Sequence, residues 1–115
     1  MQRRDSETKE VTMVDPGAKH DTGKPAVHSV LRYFPRAITE VAKVSQHGAS
    51  LHGWDTWDTI ENPIERYSDA KVRHILASCM GEEVDSESNL IHAAHEAWNS
   101  LAILELMLRS DDVKD

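Results

Sequence analysis

The run "ESNLIHAAHEAWNSLAILELML", residues 87–108, limits what this chain can fold into more than any other stretch. Successive residues of a helix are turned by about 100°, and read this way the run is apolar almost all the way round. Ile91, Ala94, Trp98, Leu101, Leu104 and Leu108 supply its apolar positions. The exception is one polar arc of His92, His95, Glu96 and Asn99, which continues into Ile103 and Leu106 and so is not simply a solvent face. A helix apolar on this scale is expected to lie against other elements. Its longest near-apolar stretch, 101–108, is broken by Glu105 and is too short to span a bilayer. Glu105 is either an oligomer contact or an exposed carboxylate. The helix is expected to start near Ser88 and to end at about Arg109.

Two further helices are expected before it. One runs from Pro35, a residue suited to a first helical turn, to His47. Gly48 suits its end, and Ala37, Val41 and Val44 give its apolar spacing. The other has Asn62 as its N-cap, Pro63 as its first residue and Glu65 at the capping-box position. Its stripe is Val72, Ile75, Leu76 and Cys79, with Gly81 at its end. Between the two lies a long loop, 48–62, holding Trp54 and Trp57, which either cap the core or offer a ring for a ligand to stack on. No segment alternates with a period of two. The expected fold is all-α, a small bundle of three main helices.

Large apolar side chains are nearly absent from residues 1–25, read as a flexible polar arm. The domain is expected over 26–110, with 111–115 as a polar tail. A core this small buries little of the unfolded surface, so homo-oligomerisation is expected. Twenty acidic residues against 13 basic ones give a net charge of −7. That balance argues against a partner that is a nucleic acid polymer, which needs a basic surface, and leaves nucleotide chemistry open. The single cysteine, Cys79, excludes an intramolecular disulfide and is expected as a buried thiol. No secretory signal is read in "MQRRDSETKE" and no membrane segment elsewhere, so a cytoplasmic location is expected.

Each helix brings titratable groups to the edge of its apolar stripe: Glu40 with Lys43 and His47, Asp69 with Arg73, and His92 with His95. Burying such groups together is costly unless something pairs with them. A divalent cation does so. Oxygen ligands favour Mg²⁺ or Mn²⁺, and imidazoles pull towards Mn²⁺ or heavier metals. The plainer readings are an ordinary Asp69–Arg73 surface pair, an exposed Glu40, and hydrogen-bonded histidines at the core edge. His20, His28, His47 and His52 are read as ordinary.

In order and spacing, "DTGKP" (21–25), "AITEV" (37–41), "RYSDAKVRH" (66–74), "GEEVDSES" (81–88) and "HAAHEAWN" (92–99) resemble the phage dATP/dGTP diphosphohydrolase family, with the His-Gly-Trp-Trp pattern of 52–57 between them. That family is related to the MazG-like all-α nucleotide pyrophosphohydrolases. The resemblance covers about residues 20–108. It implies Mg²⁺- or Mn²⁺-dependent hydrolysis of a purine deoxynucleoside triphosphate to monophosphate and pyrophosphate, with water attacking the α-phosphorus. It makes Glu40 and Asp69 the candidate catalytic carboxylates and, with His92, the candidate metal ligands, with Glu65 or Glu82 as additions. Lys24, Lys43 and Arg73 become candidates for phosphate contacts, and Trp57 for stacking on the base. His95 and Asn99 become candidate substrate contacts, with ligand or orienting roles also open. Residues 50–53 read Ser-Leu-His-Gly where family members carry Lys-Lys-Tyr-Gly, and helix 35–47 offers only Glu40 where MazG-like enzymes carry ExxE. These departures are compatible with altered substrate choice or with a sponge-like nucleotide binder that does not cleave. A purely structural helical bundle is the third reading.

Overall fold

The computed structural model describes residues 22–114, with side chains described through residue 110. The arm read over 1–25 therefore lies mostly outside the described residues. Four helices follow in order: α1 (Val27–Tyr33), α2 (Pro35–His52), α3 (Pro63–Cys79) and α4 (His92–Lys114). The three main helices are those expected, and α1 is an addition. Among the described residues the only extended pairing is a single antiparallel bridge between Val84 and Ile91. The fold is all-α.

Pro35 separates α1 from α2. A proline pushes the preceding residue out of the helical region, and Phe34 accordingly sits at φ −126°, ψ 46°. Helix α2 runs five residues past the expected end at His47. One interior glycine costs a helix only about 1 kcal/mol, and Gly48 is followed by residues that continue the turn. The chain leaves the helix at Gly53 instead, where φ is 86° and the backbone N–H donates to the Ala49 carbonyl at 2.7 Å. The loop is thus 53–62.

Helix α3 begins at Pro63 as expected, but Asn62 does not cap it with its side chain. Asn62 is in the left-handed region (φ 50°, ψ 56°), and its amide makes no capping bond. A capping side chain needs an extended backbone to reach the N2 or N3 amide. At its other end α3 closes with Gly81 at φ 94° and the Glu82 amide bonded back to the Ala77 carbonyl at 3.0 Å, a Schellman-type stop.

Helix α4 starts at His92, four residues later than expected, because 83–92 folds into a small hairpin. Asp85 N–H donates to the Leu90 carbonyl (2.8 Å) and His92 N–H to the Glu83 carbonyl (2.9 Å). Asn89 makes the turn at φ 64°. At the far end α4 continues through the stretch read as a tail, to Lys114.

Helix α4 packs against both α3 and α2, whereas α2 and α3 do not meet. Its inward face carries the polar arc: His92 and Asn99 are buried beside Ala94 and Ala102. Leu101, Leu104 and Leu108, expected in the core, are exposed. Helix α3 is turned the same way. Tyr67, Ala70, His74 and Ala77 are its sheltered positions, while Val72, Leu76 and Met80 lie outside. Cys79, expected buried, is exposed for this reason. No helix among the described residues is long and apolar enough to cross a membrane.

Candidate active site

The Gly81 stop and the 83–92 hairpin fold the end of α3 back onto the start of α4, and three imidazoles meet there. His74 stacks on His95 with centroids 4.3 Å apart and planes within 5°. The Nδ1 atoms of His74 and His92 lie 2.7 Å apart, a hydrogen bond in which one ring donates and the other accepts. The hairpin adds Asp85. Its carboxylate accepts from the Ser88 amide and the Ser88 hydroxyl, each at 2.8 Å. Ser88 Oγ lies 2.7 Å from His95 Nε2. An ionised Asp85 can only accept, so Ser88 donates to it, and His95 Nε2–H donates to Ser88. His95 Nδ1 is thereby left as the nitrogen with the lone pair. His74, Asp85 and His92 each place one ligand atom within 4.8 Å of the others.

Burial, and secondarily repulsion from His92, lowers the His74 pKa below the ordinary 6.5. Burial also lowers that of His95, with His74 as the next cause. Burial of Asp85 works against its charge, but the Ser88 hydrogen bonds and the neighbouring His95 and His74 outweigh it, and its pKa falls below the ordinary 3.8. At neutral pH His74 and His95 are therefore neutral imidazoles and Asp85 is an ionised carboxylate, the forms that ligate metals.

Next to the cluster is a cleft of about 730 Å³. Because α2 and α3 do not meet, it opens between them, with α4 as its floor and the 53–62 loop as one wall. All three tryptophans of the chain line it. Trp98 anchors the floor, its Nε1–H donating to Ser45 Oγ at 2.6 Å, and Tyr67 packs edge-on against it at 5.3 Å. Trp57 leans on both rings, and the Tyr67 hydroxyl donates to the Trp57 carbonyl. Arg109 latches this wall: it pairs with Asp58 at 2.8 Å and lies over the Trp57 ring at 5.1 Å. Trp54 is 66% exposed at the mouth. Arg66 and Arg73 add positive charge to the α3 wall, and His74 and His95 belong to both cleft and cluster.

The residues singled out in the sequence are divided by this geometry. Trp57, Arg73, His95 and Asn99 line the cleft, with the Asn99 amide donating to the His95 carbonyl at 2.9 Å. His92 lies in the cluster. Glu40 pairs with Lys43 at 2.8 Å on α2, and Asp69 is exposed on α3. Among the described residues, the group whose ligand atoms converge joins His92 to His74 and Asp85, and neither Glu40 nor Asp69 is in it. Lys24 is exposed ahead of α1. His47, read as ordinary, lines the cleft with its ring edge-on to His95 at 6.5 Å. His74, Asp85 and Ser88 were not singled out as site residues. Their signal was the Asp-x-x-Ser turn followed by two histidines three residues apart.

The architecture defines a helical domain with a histidine–carboxylate centre beside an aromatic cleft. The family model described as dATP/dGTP diphosphohydrolase, N-terminal, matches residues 14–115, and the chain belongs to that family. It is 35% identical over 91 residues to a dATP/dGTP diphosphohydrolase of Salmonella phage PMBT28, which covers 79% of this chain and 30% of that protein. The chain thus spans less than a third of that relative's length. No solved structure matches.

Proposed function

We propose that the chain binds a purine deoxynucleoside triphosphate in the α2–α3 cleft and serves its hydrolysis to monophosphate and pyrophosphate, with Mg²⁺ or Mn²⁺ as cofactor. The observation that carries this is continuity: His74 and His95 line the cleft and also belong to the histidine–carboxylate cluster. The cleft volume falls within the range of roughly 300–1,000 Å³ usual for small-molecule sites. Tryptophan faces stack on any base, and Trp54 and Trp57 occupy the wall. Arg66 and Arg73 suit phosphate oxygens, with Lys43 and Lys24 as further cations. The name of the phage relative supports the purine deoxynucleotide as substrate. A divalent cation supplies charge neutralisation on the phosphates and a more acidic water. The chain's own residues orient the base, hold the phosphates and, through neutral imidazole, accept a proton from the attacking water.

A second reading, nucleotide binding without cleavage, is favoured by one observation. Among the described residues, Asp55 is the only carboxylate lining the cleft. One assay separates the two. The pure chain is incubated with each deoxynucleoside triphosphate and Mn²⁺ or Mg²⁺, and pyrophosphate and monophosphate are quantified. Release from dATP or dGTP supports hydrolysis, and saturable binding without release supports the second reading. Neither outcome removes both. We also infer that a second copy covers the exposed apolar stripe of α3 and α4, and that the protein works in the cytoplasm, where deoxynucleotide pools lie.

A further inference from the structure

Among the described residues, His92 is the buried polar residue whose needs the protein leaves unmet. It is 3% exposed, and its Nε2 has no hydrogen-bond partner. Glu82 Oε1 stands 3.4 Å away, close enough for charge attraction but not aligned for a hydrogen bond. The other ring nitrogen is engaged with His74 Nδ1 at 2.7 Å, and that bond holds one proton between two nitrogens.

Both ways of placing the proton leave a deficit. If His92 donates to His74, its Nε2 carries a buried lone pair that faces a carboxylate oxygen, two acceptors with nothing between them. If His74 donates, His92 Nε2 carries a buried proton without an aligned acceptor. A buried polar atom left unpaired costs about 1–3 kcal/mol. A cation taken up between the two Nδ1 atoms removes the conflict: each ring turns its Nδ1 lone pair on the ion, and His92 Nε2 carries its proton towards the Glu82 carboxylate. Two ligand atoms each about 2.1 Å from one ion lie roughly 3.0 Å apart in octahedral and 3.4 Å apart in tetrahedral geometry. The Nδ1–Nδ1 separation of 2.7 Å is about 0.3 Å short of that range, and Asp85 offers a carboxylate oxygen within 4.8 Å of a ligand nitrogen on each ring.

We propose that His74, Asp85 and His92 hold one divalent first-row transition cation, Mn²⁺ or a later member of the row, in preference to Mg²⁺, with Glu82 orienting His92 from outside the ligand set. Two imidazoles with one carboxylate form a borderline donor set, whereas Mg²⁺ prefers oxygen ligands and retained water. Ser88 and His95 are positioning residues. Ser88 donates to Asp85 and fixes the carboxylate, and His95 stacks on His74 and fixes that ring. Binding of the ion stands without the nucleotide reading, and only its part in hydrolysis rests on that reading.

The test uses the whole chain, stripped with EDTA and free of nucleotide. Mn²⁺, Co²⁺ and Mg²⁺ are titrated separately by calorimetry, and the Mn²⁺ form is examined by pulsed EPR. Expected are about one Mn²⁺ per chain, affinity at least about tenfold above that for Mg²⁺, and imidazole nitrogen couplings in the spectrum. Asp85→Asn and His92→Ala are expected to weaken Mn²⁺ binding at least about tenfold. The EPR couplings are read on the unaltered protein, so they decide even where a variant does not fold. Absent nitrogen coupling, equal affinity for Mg²⁺, or loss of binding in Asp69→Asn but not in Asp85→Asn overturns the assignment. Because no nucleotide is present, failure to hydrolyse dATP or dGTP leaves this result standing.

Discussion

The imidazoles of His74 and His95 lie face to face, 4.3 Å between centroids and 5° between planes, one from α3 and one from α4. Two protonated rings cannot occupy that arrangement without repulsion, and burial disfavours charge on both. The stack therefore joins the helices only while the rings are neutral.

Stability should follow that protonation. Both histidines have folded pKa values below the ordinary 6.5, so below 6.5 the unfolded chain binds more protons than the folded one. Their contribution is complete above 6.5 and is lost as pH falls through the folded values. Asp85, lowered from 3.8, has the same sign in a more acidic window: its contribution is complete above 3.8 and is lost below. The midpoint of thermal unfolding of metal-free protein is expected to fall in two stages on acidification. His74→Phe, which keeps a ring but cannot titrate, should flatten the first. An unchanged slope would contradict the role given to the stack.

The floor of the cleft depends on one hydrogen bond across α2 and α4. Ser45→Ala leaves Trp98 Nε1 without its 2.6 Å partner and should cost about 1–2 kcal/mol. Chemical denaturation measures this as a shifted midpoint with unchanged slope.

Gly53 ends α2 at φ 86°, and a Cβ there would meet no atom within 4 Å. At φ 86° and ψ 161°, a region essentially confined to glycine, any cost of Gly53→Ala is therefore backbone strain alone, on the order of 1–3 kcal/mol. Gly48, inside α2 with equally open surroundings, should give the opposite sign, since alanine favours a helix by about 1 kcal/mol. Paired thermal melts of the two variants test the assignment of the helix end.

The exposed stripe of Val72, Leu76, Leu104 and Leu108 should bring copies together. Light scattering on the eluting protein is expected to give a mass of at least two chains. Val72→Glu with Leu76→Glu should reduce it to one.

Much of the fold was legible in the sequence. Pro35, Pro63 and the run at 87–108 announce three helices, and all three form. The faces were harder. Hydrophobicity ranks Val72, Ile75, Leu76 and Cys79 as the inner side of α3, yet Tyr67 and His74 take that place. Rings and small alanines allow α3 and α4 to approach, while the aliphatic stripe is left outside. The arc of His92, His95 and Asn99 was visible as one polar face, because helical spacing alone places those residues together. Their partners were not. Asp85 reaches them through a hairpin whose turn depends on a left-handed Asn89, and His74 reaches them through the Schellman-type stop at Gly81. Periodicity reports neither conformation. Glu40 and Asp69 were chosen as acids at stripe edges, and spacing along one helix cannot say which edges converge.

All three tryptophans line the cleft, so their emission reports directly on nucleotide binding there. Titration of the pure chain with dATP, dGTP, dCTP and dTTP in the presence of Mn²⁺ is expected to give saturable quenching by the two purine nucleotides, weaker quenching by the pyrimidines, and loss of the response in Trp57→Leu. Emission unchanged by any of the four up to millimolar concentration, from protein whose circular dichroism shows it folded, would contradict a nucleotide site between α2 and α3.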